Sequence, residues 1–216
     1  MNQENNSSAP YPVDSVNDER RELISIRLGL IALSTILVIS VLFWKPYPAL
    51  TSLMCMLLIL LPRQARLRLC MPLPWTMAAL ASLVTVLHSA GILLGAYDLV
   101  WWWDLLTHFM ATSVLAVAAN LVILVRGRQA VPHALPTKYV PLVSLGMIII
   151  LGIIWEIAEF AADVFLNTMT QYSLHDTAID LSVDILGGVL VAILIPPYLD
   201  SLDEGYGICE VNVAEP

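Results

Sequence analysis

The chain has 216 residues, of which 58% are hydrophobic and 13% charged, and its mean hydropathy is +0.79. Soluble domains carry about 25% charged residues, so the composition excludes an ordinary soluble protein and favours a helical membrane protein. The net charge of −8 argues against nucleic acid as a partner, because nucleic acid selects basic surfaces. The three cysteines fit no zinc or haem spacing.

Residues 1–20 are polar and rich in Asn, Ser and Asp, and we expect them to form a disordered tail. They lack the basic start and short apolar core of a signal peptide, so the first apolar run is expected to remain as a membrane helix. Residues 200–216 form a second, acidic tail. The region between the tails, 21–199, is predicted to be one all-α domain, a polytopic membrane protein with a bundle of six transmembrane helices.

Six apolar runs follow in chain order, at about 23–43, 47–61, 75–96, 105–125, 139–161 and 179–198. Most approach the ~20 residues that cross a bilayer, but the second is short. Gly91 and Gly95, at the end of the third run, have the spacing that permits close contact between two helices. The alternative is that this spacing of four residues is a coincidence. Three tryptophans at 101–103 are typical of a membrane interface.

The basic residues predict the orientation of the bundle. If all six runs cross the membrane, only Lys45 of the ten basic residues falls on one side and the other nine share the opposite side. The side rich in Lys and Arg is normally cytoplasmic, so both termini are predicted to be cytoplasmic. This regular distribution supports counting the short second run as a span. We therefore expect a multi-pass protein of the cell (inner or plasma) membrane.

Ionisable side chains collect in or beside the last three runs, toward the predicted outer side of the membrane. They are Asp98, Asp104, His108, Glu156, Glu159, Asp163, His175, Asp176, Asp180 and Asp184, with His88 on the third run. Such groups are costly in hydrocarbon, so they usually face the protein interior and mark a functional site.

Helical periodicity places the members of each run on one face. Asp104 and His108 are four residues apart and stack on one side of a helix. The three acids of the fifth run fall within about 60° of one another, and the three aspartates of the sixth run within about 80°. Gly187 lies on the same face of the sixth run, where a missing side chain would let another helix approach closely. The three polar stripes are expected to face one another.

Clustered carboxylates repel one another unless a cation or shared protons relieve the repulsion. Carboxylate oxygens and histidine nitrogens together suit divalent ions, and facing helices of bundles build metal sites from them. Zinc or manganese fits this set better than calcium, and magnesium remains open. The expected ligands are Asp104, His108, Glu156, Glu159 and Asp180, with Asp176, Asp184 and His88 as second choices.

Several of these residues have simpler interpretations. Asp98 and Asp163 could be interfacial residues of no special function. Asp176 could cap the N-terminus of the sixth helix, a position that favours Asp. His88 could be a hydrogen-bonded polar residue inside the bundle.

Motifs on successive runs resemble the YjdF family of bacterial and archaeal inner-membrane proteins over roughly residues 75–198. They are Asp104-Leu105-Leu106-Thr107-His108-Phe109, Glu156-Ile157-Ala158-Glu159, Asp176-Thr177-Ala178-Ile179-Asp180-Leu181 and Leu186-Gly187-Gly188. The resemblance implies the site but names no reaction. Asp184 departs from the small residue expected there, Gly188 replaces an alanine, and the loop before the sixth run lacks the family's glycines.

The sequence leaves three functions open. A metal-dependent enzyme acting on a lipid head group at the outer leaflet accounts for the histidine and the interfacial position, although no Ser or Cys nucleophile with a His base is evident. A cation- or proton-coupled transporter would use intramembrane carboxylates, but the chain shows no internal repeat. A structural or accessory protein would use a cation to hold the bundle together. Membrane lipid is the expected partner, and a homo-oligomer is an open alternative.

Overall fold

The computed structural model describes residues 15–69, 73–130, 136–171 and 173–197. Within these ranges the regular structure is helical, which confirms the all-α prediction. The helices are α1 (Ser15–Leu42), α2 (Pro46–Leu58), α3 (Leu61–Leu69), α4 (Trp75–Leu94), α5 (Ala96–Leu99), α6 (Trp103–Ala130), α7 (Val140–Leu166) and α8 (Leu174–Leu194). A single 3-10 turn, Thr137–Tyr139, precedes α7.

Six helical segments of the described chain are long and apolar enough to cross a membrane. They are Val16–Leu42, Pro46–Arg68, Trp75–Leu94, Trp103–Ile123, Val140–Leu166 and Leu174–Leu194. The short second run is extended by α3 to 23 residues. At 1.5 Å per residue this is about 35 Å, enough for the ~30 Å hydrocarbon core. The chain is therefore a multi-pass membrane protein, while the cytoplasmic position of its termini stays a prediction.

Two helix starts differ from their predicted positions. Helix α1 begins at Ser15, so the last residues of the predicted tail 1–20 already belong to its first turns. The tail before residue 15 and the acidic tail 200–216 lie outside the described residues. Helix α8 begins at Leu174 because Ser173 is its N-cap and accepts a hydrogen bond from the Asp176 backbone N–H at 3.2 Å. The interpretation of Asp176 as the cap was therefore wrong.

The two glycines at the end of α4 have different roles, a helix end at Gly95 and a close contact with the start of α6 at Gly91. Gly95 ends α4 with φ +71°, a left-handed conformation that glycine adopts without strain. A Cβ on Gly91 would collide with the side chains of Trp103 and Tyr97. Gly91 thus permits the close helix contact that the sequence suggested, with the first residue of α6 as the partner, whereas Gly95 does not take part.

The bundle has two packed halves. Helix α1 packs on α2 and α4, and α6 packs on both α7 and α8, while α4 and α6 join the halves. Helix α3 is tied to α1 by ion pairs of the buried Glu22 with Arg66 and with Arg63. Buried Leu121, Ile148 and Val191 fill the core of the second half. This half contains most of the predicted site residues.

Candidate metal centre

Five acid and histidine side chains from α6, α7 and α8 meet in the interface of these helices. Ligand atoms of Asp104, His108 and Asp180 lie within 4.8 Å of one another, and so do those of His108, Glu156 and Glu159. These are the five side chains expected to be the main ligands. The structure brings them together, with His108 common to both groups. That they hold a metal ion stays a prediction.

His108 lies between two carboxylates. Its Nδ1 atom is 3.1 Å from Asp184 Oδ1, and its Nε2 atom is 3.5 Å from Asp104 Oδ1. The first distance is a hydrogen bond donated to Asp184, whereas the second is too long for one. Two ligands on one tetrahedral ion, each with a bond of about 2.1 Å, stand about 3.4 Å apart. The space between Nε2 and Asp104 therefore fits an ion.

Two carboxylates of the site are buried with oxygens that contact no donor. The side chain of Glu156 is 5% exposed, that of Asp180 is 2% exposed, and neither Glu156 oxygen nor Asp180 Oδ1 has a hydrogen-bond partner within the described residues. Buried polar groups in native proteins are nearly always satisfied, because an unsatisfied one costs about 1–3 kcal/mol. An ordered water, a shared proton or a cation would each satisfy these oxygens.

Two glycines make room for the site. A Cβ on Gly152 would lie 2.7 Å from Asp184 Oδ2, so the absent side chain allows Asp184 to fit against α7. A Cβ on Gly187 would lie 2.7 Å from Thr112 Oγ1 and 3.0 Å from the backbone oxygen of Phe109. The predicted close approach at Gly187 is confirmed. Gly152 was missed, although it stands four residues before Glu156 and hence on the same helical face.

The second-choice ligands lie outside both groups of ligand atoms. His88 points its Nδ1 atom at the Tyr97 hydroxyl, 2.6 Å away, which matches its interpretation as a hydrogen-bonded bundle residue. Asp184 contacts His108, as described above. Asp176 is half-buried in the first turn of α8. Asp98 and His175 are exposed and do not join the site.

Three residues near the site were not singled out from the sequence. The Nε1 atom of Trp155 donates to Glu159 Oε1 at 2.9 Å, and its ring packs edge-on against His88. Thr107 and Tyr97 hydrogen-bond to each other at 3.2 Å. Burial raises the pKa of the Tyr97 phenol, and the nearby carboxylates Asp104 and Glu159 add to this effect, so the phenol is neutral. Thr107 precedes His108 directly and Trp155 stands four residues before Glu159, which was their only signal in the sequence, and Tyr97 gave none.

Asp163 organises the loop between α7 and α8 instead of binding in the site. Its Oδ1 atom accepts hydrogen bonds from Thr168 Oγ1, at 2.6 Å, and from both the backbone N–H and the hydroxyl of Thr170, at 2.8 Å. Its Oδ2 atom accepts from the Gln171 backbone N–H at 2.9 Å. This carboxylate is thus fully engaged, unlike Glu156 and Asp180.

We expect Asp163→Asn to lower the free energy of unfolding by about 1–3 kcal/mol, because the new amide NH2 group cannot accept the hydrogen bond from Gln171. The measurement is denaturant unfolding in detergent micelles. Thr168→Val, which removes one hydrogen bond of the same loop, should have a smaller effect. Cation binding should be the same in both variants and the wild type. A parallel loss of cation binding would show that the loop belongs to the site.

Comparison with known proteins agrees with the resemblance seen in the motifs. The sequence profile of a family described as "Predicted membrane protein (DUF2238)" matches residues 25–201. A Thermotoga maritima protein described as uncharacterized is 34% identical over 105 residues, or 47% of this chain and 52% of the relative. The match thus spans about half the length of that curated relative. No solved structure matches the chain.

Proposed function

The chain belongs to the DUF2238 family of predicted membrane proteins, which includes the YjdF-like proteins, and we propose that it binds a divalent cation between α6, α7 and α8. The observation that carries the proposal is a pair of buried carboxylates beside a histidine: both oxygens of Glu156 and Oδ1 of Asp180 have no hydrogen-bond partner among the described residues. A cation would satisfy these oxygens and offset the repulsion among the acids.

The residues would take different roles around the ion. Nε2 of His108 is the nitrogen left for the ion, because Nδ1 is held by Asp184. Asp104 and Asp180 complete one group of ligands, and Glu156 and Glu159 supply further oxygens. Asp184 acts as the carboxylate that orients a metal-binding histidine, an arrangement common in metalloproteins. One nitrogen with several carboxylate oxygens favours zinc or manganese, and magnesium should bind this set of ligands more weakly.

The burial of the site supports chemistry on a molecule that arrives from one membrane face. Asp104 and Glu159 are partly exposed, whereas Asp180 and Asp184 are buried at 2% exposure each. Asp104 follows two exposed tryptophans, Trp101 and Trp102, in the chain, and we expect this end of the helix to lie at the outer face. A lipid head group can reach an ion there, and the ion would polarise a phosphoryl or acyl oxygen or activate water. We therefore propose a metal-dependent hydrolase or transferase.

One further feature favours cation or proton transport as a second candidate. Asn120 continues the polar face of α6 beyond His108 and Thr112, and its side chain is 1% exposed. Its amide donates to Ser144 Oγ at 2.9 Å, while its Oδ1 atom is buried without a partner among the described residues. The buried Ile148 also lies in this interface, so a transporter would have to open there.

The first test is the cation content of the protein purified in detergent, measured by mass spectrometry and followed by titration with zinc, manganese and magnesium. We expect near-stoichiometric divalent metal in the wild type. Asp180→Asn should lower the cation affinity by at least about 100-fold, because even residues that only hydrogen-bond to metal ligands contribute about 10–100-fold to the affinity. Asp163→Asn is the matched control and should bind normally. A folded wild type that binds none of the three ions would refute the proposal.

The second test separates the candidate activities in the cation-loaded wild type. Lipid vesicles containing the protein should release or exchange a water-soluble head group, and the cation-free protein should not. Flux of cations or protons across the vesicle membrane without head-group release would select transport. A bound ion with neither activity would select the structural role.

A further inference from the structure

Helix α1 has a basic stripe on the side that faces away from the rest of the bundle. The helix packs on α2 and α4, and its buried residues include Glu22, Ile26 and Leu33. Arg20 and Arg27 are both exposed, and at about 100° per residue they lie about 140–160° around the helix from Glu22. In a membrane-spanning helix, this outward side faces lipid.

The acids near the start of α1 pair with arginines other than these two. The ion pairs are Asp18 with Arg21 at 3.6 Å, Glu19 with Arg63 at 3.7 Å, and the buried Glu22 with both Arg63 and Arg66. Among the residues that the structure describes, neither Arg20 nor Arg27 forms an ion pair. Their two positive charges are therefore available to an anion.

Arg27 lies deep in the membrane for an exposed charge. The hydrocarbon core takes ~20 helical residues, and that length, counted back from Leu42 at the end of α1, reaches Leu23. Arg27 is thus about 6 Å inside the hydrocarbon. A charge there is costly unless it reaches the interface or meets an opposite charge. Side chains of a helix lean toward its N-terminus, so Arg27 extends back toward Arg20.

The two arginines line one open groove on the outward side of α1. The other residues that line it are Val16, Glu19, Leu23 and Ile24. The acid among them is the partner of Arg63. The groove has a volume of about 510 Å3, within the range of about 300–1,000 Å3 that is typical of ligand sites. Leu23 and Ile24 lie between Arg20 and Arg27, so the groove offers positive charge and apolar surface side by side.

We propose that this groove binds one anionic phospholipid, with the phosphate between Arg20 and Arg27 and an acyl chain on Leu23 and Ile24. Guanidinium groups form bidentate hydrogen bonds with phosphate oxygens, and basic residues beside a membrane span attract anionic lipids. Residues 200–216 are another source of negative charge, but their carboxylates would have to leave water to reach Arg27. A lipid phosphate, in contrast, already lies at the interface beside its acyl chains.

The lipid site and the proposed cation site lie at opposite ends of the bundle. Successive spans alternate in direction, so the start of α1 and the start of α6, the first and fourth spans, are on opposite sides of the membrane. By the predicted orientation, the lipid belongs to the cytoplasmic leaflet, which is rich in anionic lipids. The lipid proposal is therefore independent of the proposed function.

The experiment is native mass spectrometry of the full chain in detergent, titrated separately with phosphatidylglycerol and phosphatidylcholine that carry the same acyl chains. We expect the wild type to bind one phosphatidylglycerol about 10-fold or more tightly than phosphatidylcholine, which has no net charge. The double variant Arg20→Gln/Arg27→Gln should bind phosphatidylglycerol about 25-fold more weakly, because each basic residue near the membrane surface contributes about 5-fold.

The matched control is Arg68→Gln, which removes an exposed arginine of α3 that does not line the groove. This variant should change the affinity for phosphatidylglycerol by less than about 2-fold, whereas a loss as large as that of the double variant would indicate a diffuse charge effect and overturn the proposal. Equal binding of the two lipids by the wild type would also overturn it, and so would displacement of the lipid by equimolar inorganic phosphate.

Two further readouts keep the test sharp. Arg20 and Arg27 are exposed, so thermal unfolding of the double variant should match that of the wild type and exclude misfolding as the cause of weaker binding. Its cation content should also equal that of the wild type. A wild type that binds no cation but selects phosphatidylglycerol would refute the cation site alone, and the lipid site would stand.

Discussion

Glu156→Gln is expected to stabilise the cation-free protein and to abolish its stabilisation by divalent cations. Both carboxylate oxygens of Glu156 are buried and have no hydrogen-bond partner among the residues that the structure describes, so removing the charge without changing the shape should raise the free energy of unfolding by about 1–3 kcal/mol. In the wild type, a cation at 100 times its dissociation constant should add about 2.7 kcal/mol. Thermal unfolding in detergent, with a chelator or with excess zinc or manganese, measures both effects.

The control for this comparison is Asp163→Asn, whose carboxylate is held by the loop after α7. It should be less stable than the wild type in both conditions and should keep the full shift caused by the cation. The two variants should change the free energy of unfolding in opposite directions, because the protein donates hydrogen bonds to the Asp163 carboxylate and none to that of Glu156 within the described residues. If Glu156→Gln is still stabilised by cations, or is less stable than the wild type in chelator, Glu156 is not a ligand.

Gly187→Val is expected to separate α6 from α8 and to lower the free energy of unfolding by about 3 kcal/mol. A Cβ at this position would lie 3.0 Å from the backbone oxygen of Phe109, an atom that no rotation of a side chain can move away. Overpacking of this kind costs about 1–3 kcal/mol and occasionally more. Cation affinity should fall as well, because His108 and Asp180 lie on the two helices that move apart. Thermal unfolding and cation titration in detergent measure the two effects.

Gly146→Ala is the matched control, since Gly146 is an exposed glycine of α7 with nothing within 4 Å of its would-be Cβ. Alanine favours a helix over glycine by up to about 1 kcal/mol, so this variant should be as stable as the wild type or more stable. It should also bind the cation normally. Equal losses in the two variants would mean that the close approach at Gly187 contributes little to the bundle.

Several features of the protein followed directly from the order of its residues. The number of membrane-spanning segments depends on the length of apolar runs, and the structure confirms six of them. The second segment was the hardest to assign because its apolar part is short, and the basic helix α3 supplies its remaining length. Helical periodicity correctly brought together the five side chains expected to be the main ligands, since a helix repeats every 3.6 residues wherever it packs. Asp163, predicted on the same stripe of α7, is instead held by the loop after that helix.

Periodicity gives each side chain a face and a depth, but it does not choose the neighbour or the atom that is contacted. Those choices depend on how closely the helices pack, and shifts of about 1 Å separate a hydrogen bond from a space for an ion. Only the tertiary structure therefore paired His88 with Tyr97 and placed Asp184 behind His108. It also showed that the loop after α7 binds Asp163, while both oxygens of Glu156 and Oδ1 of Asp180 have no hydrogen-bond partner in the described part of the chain.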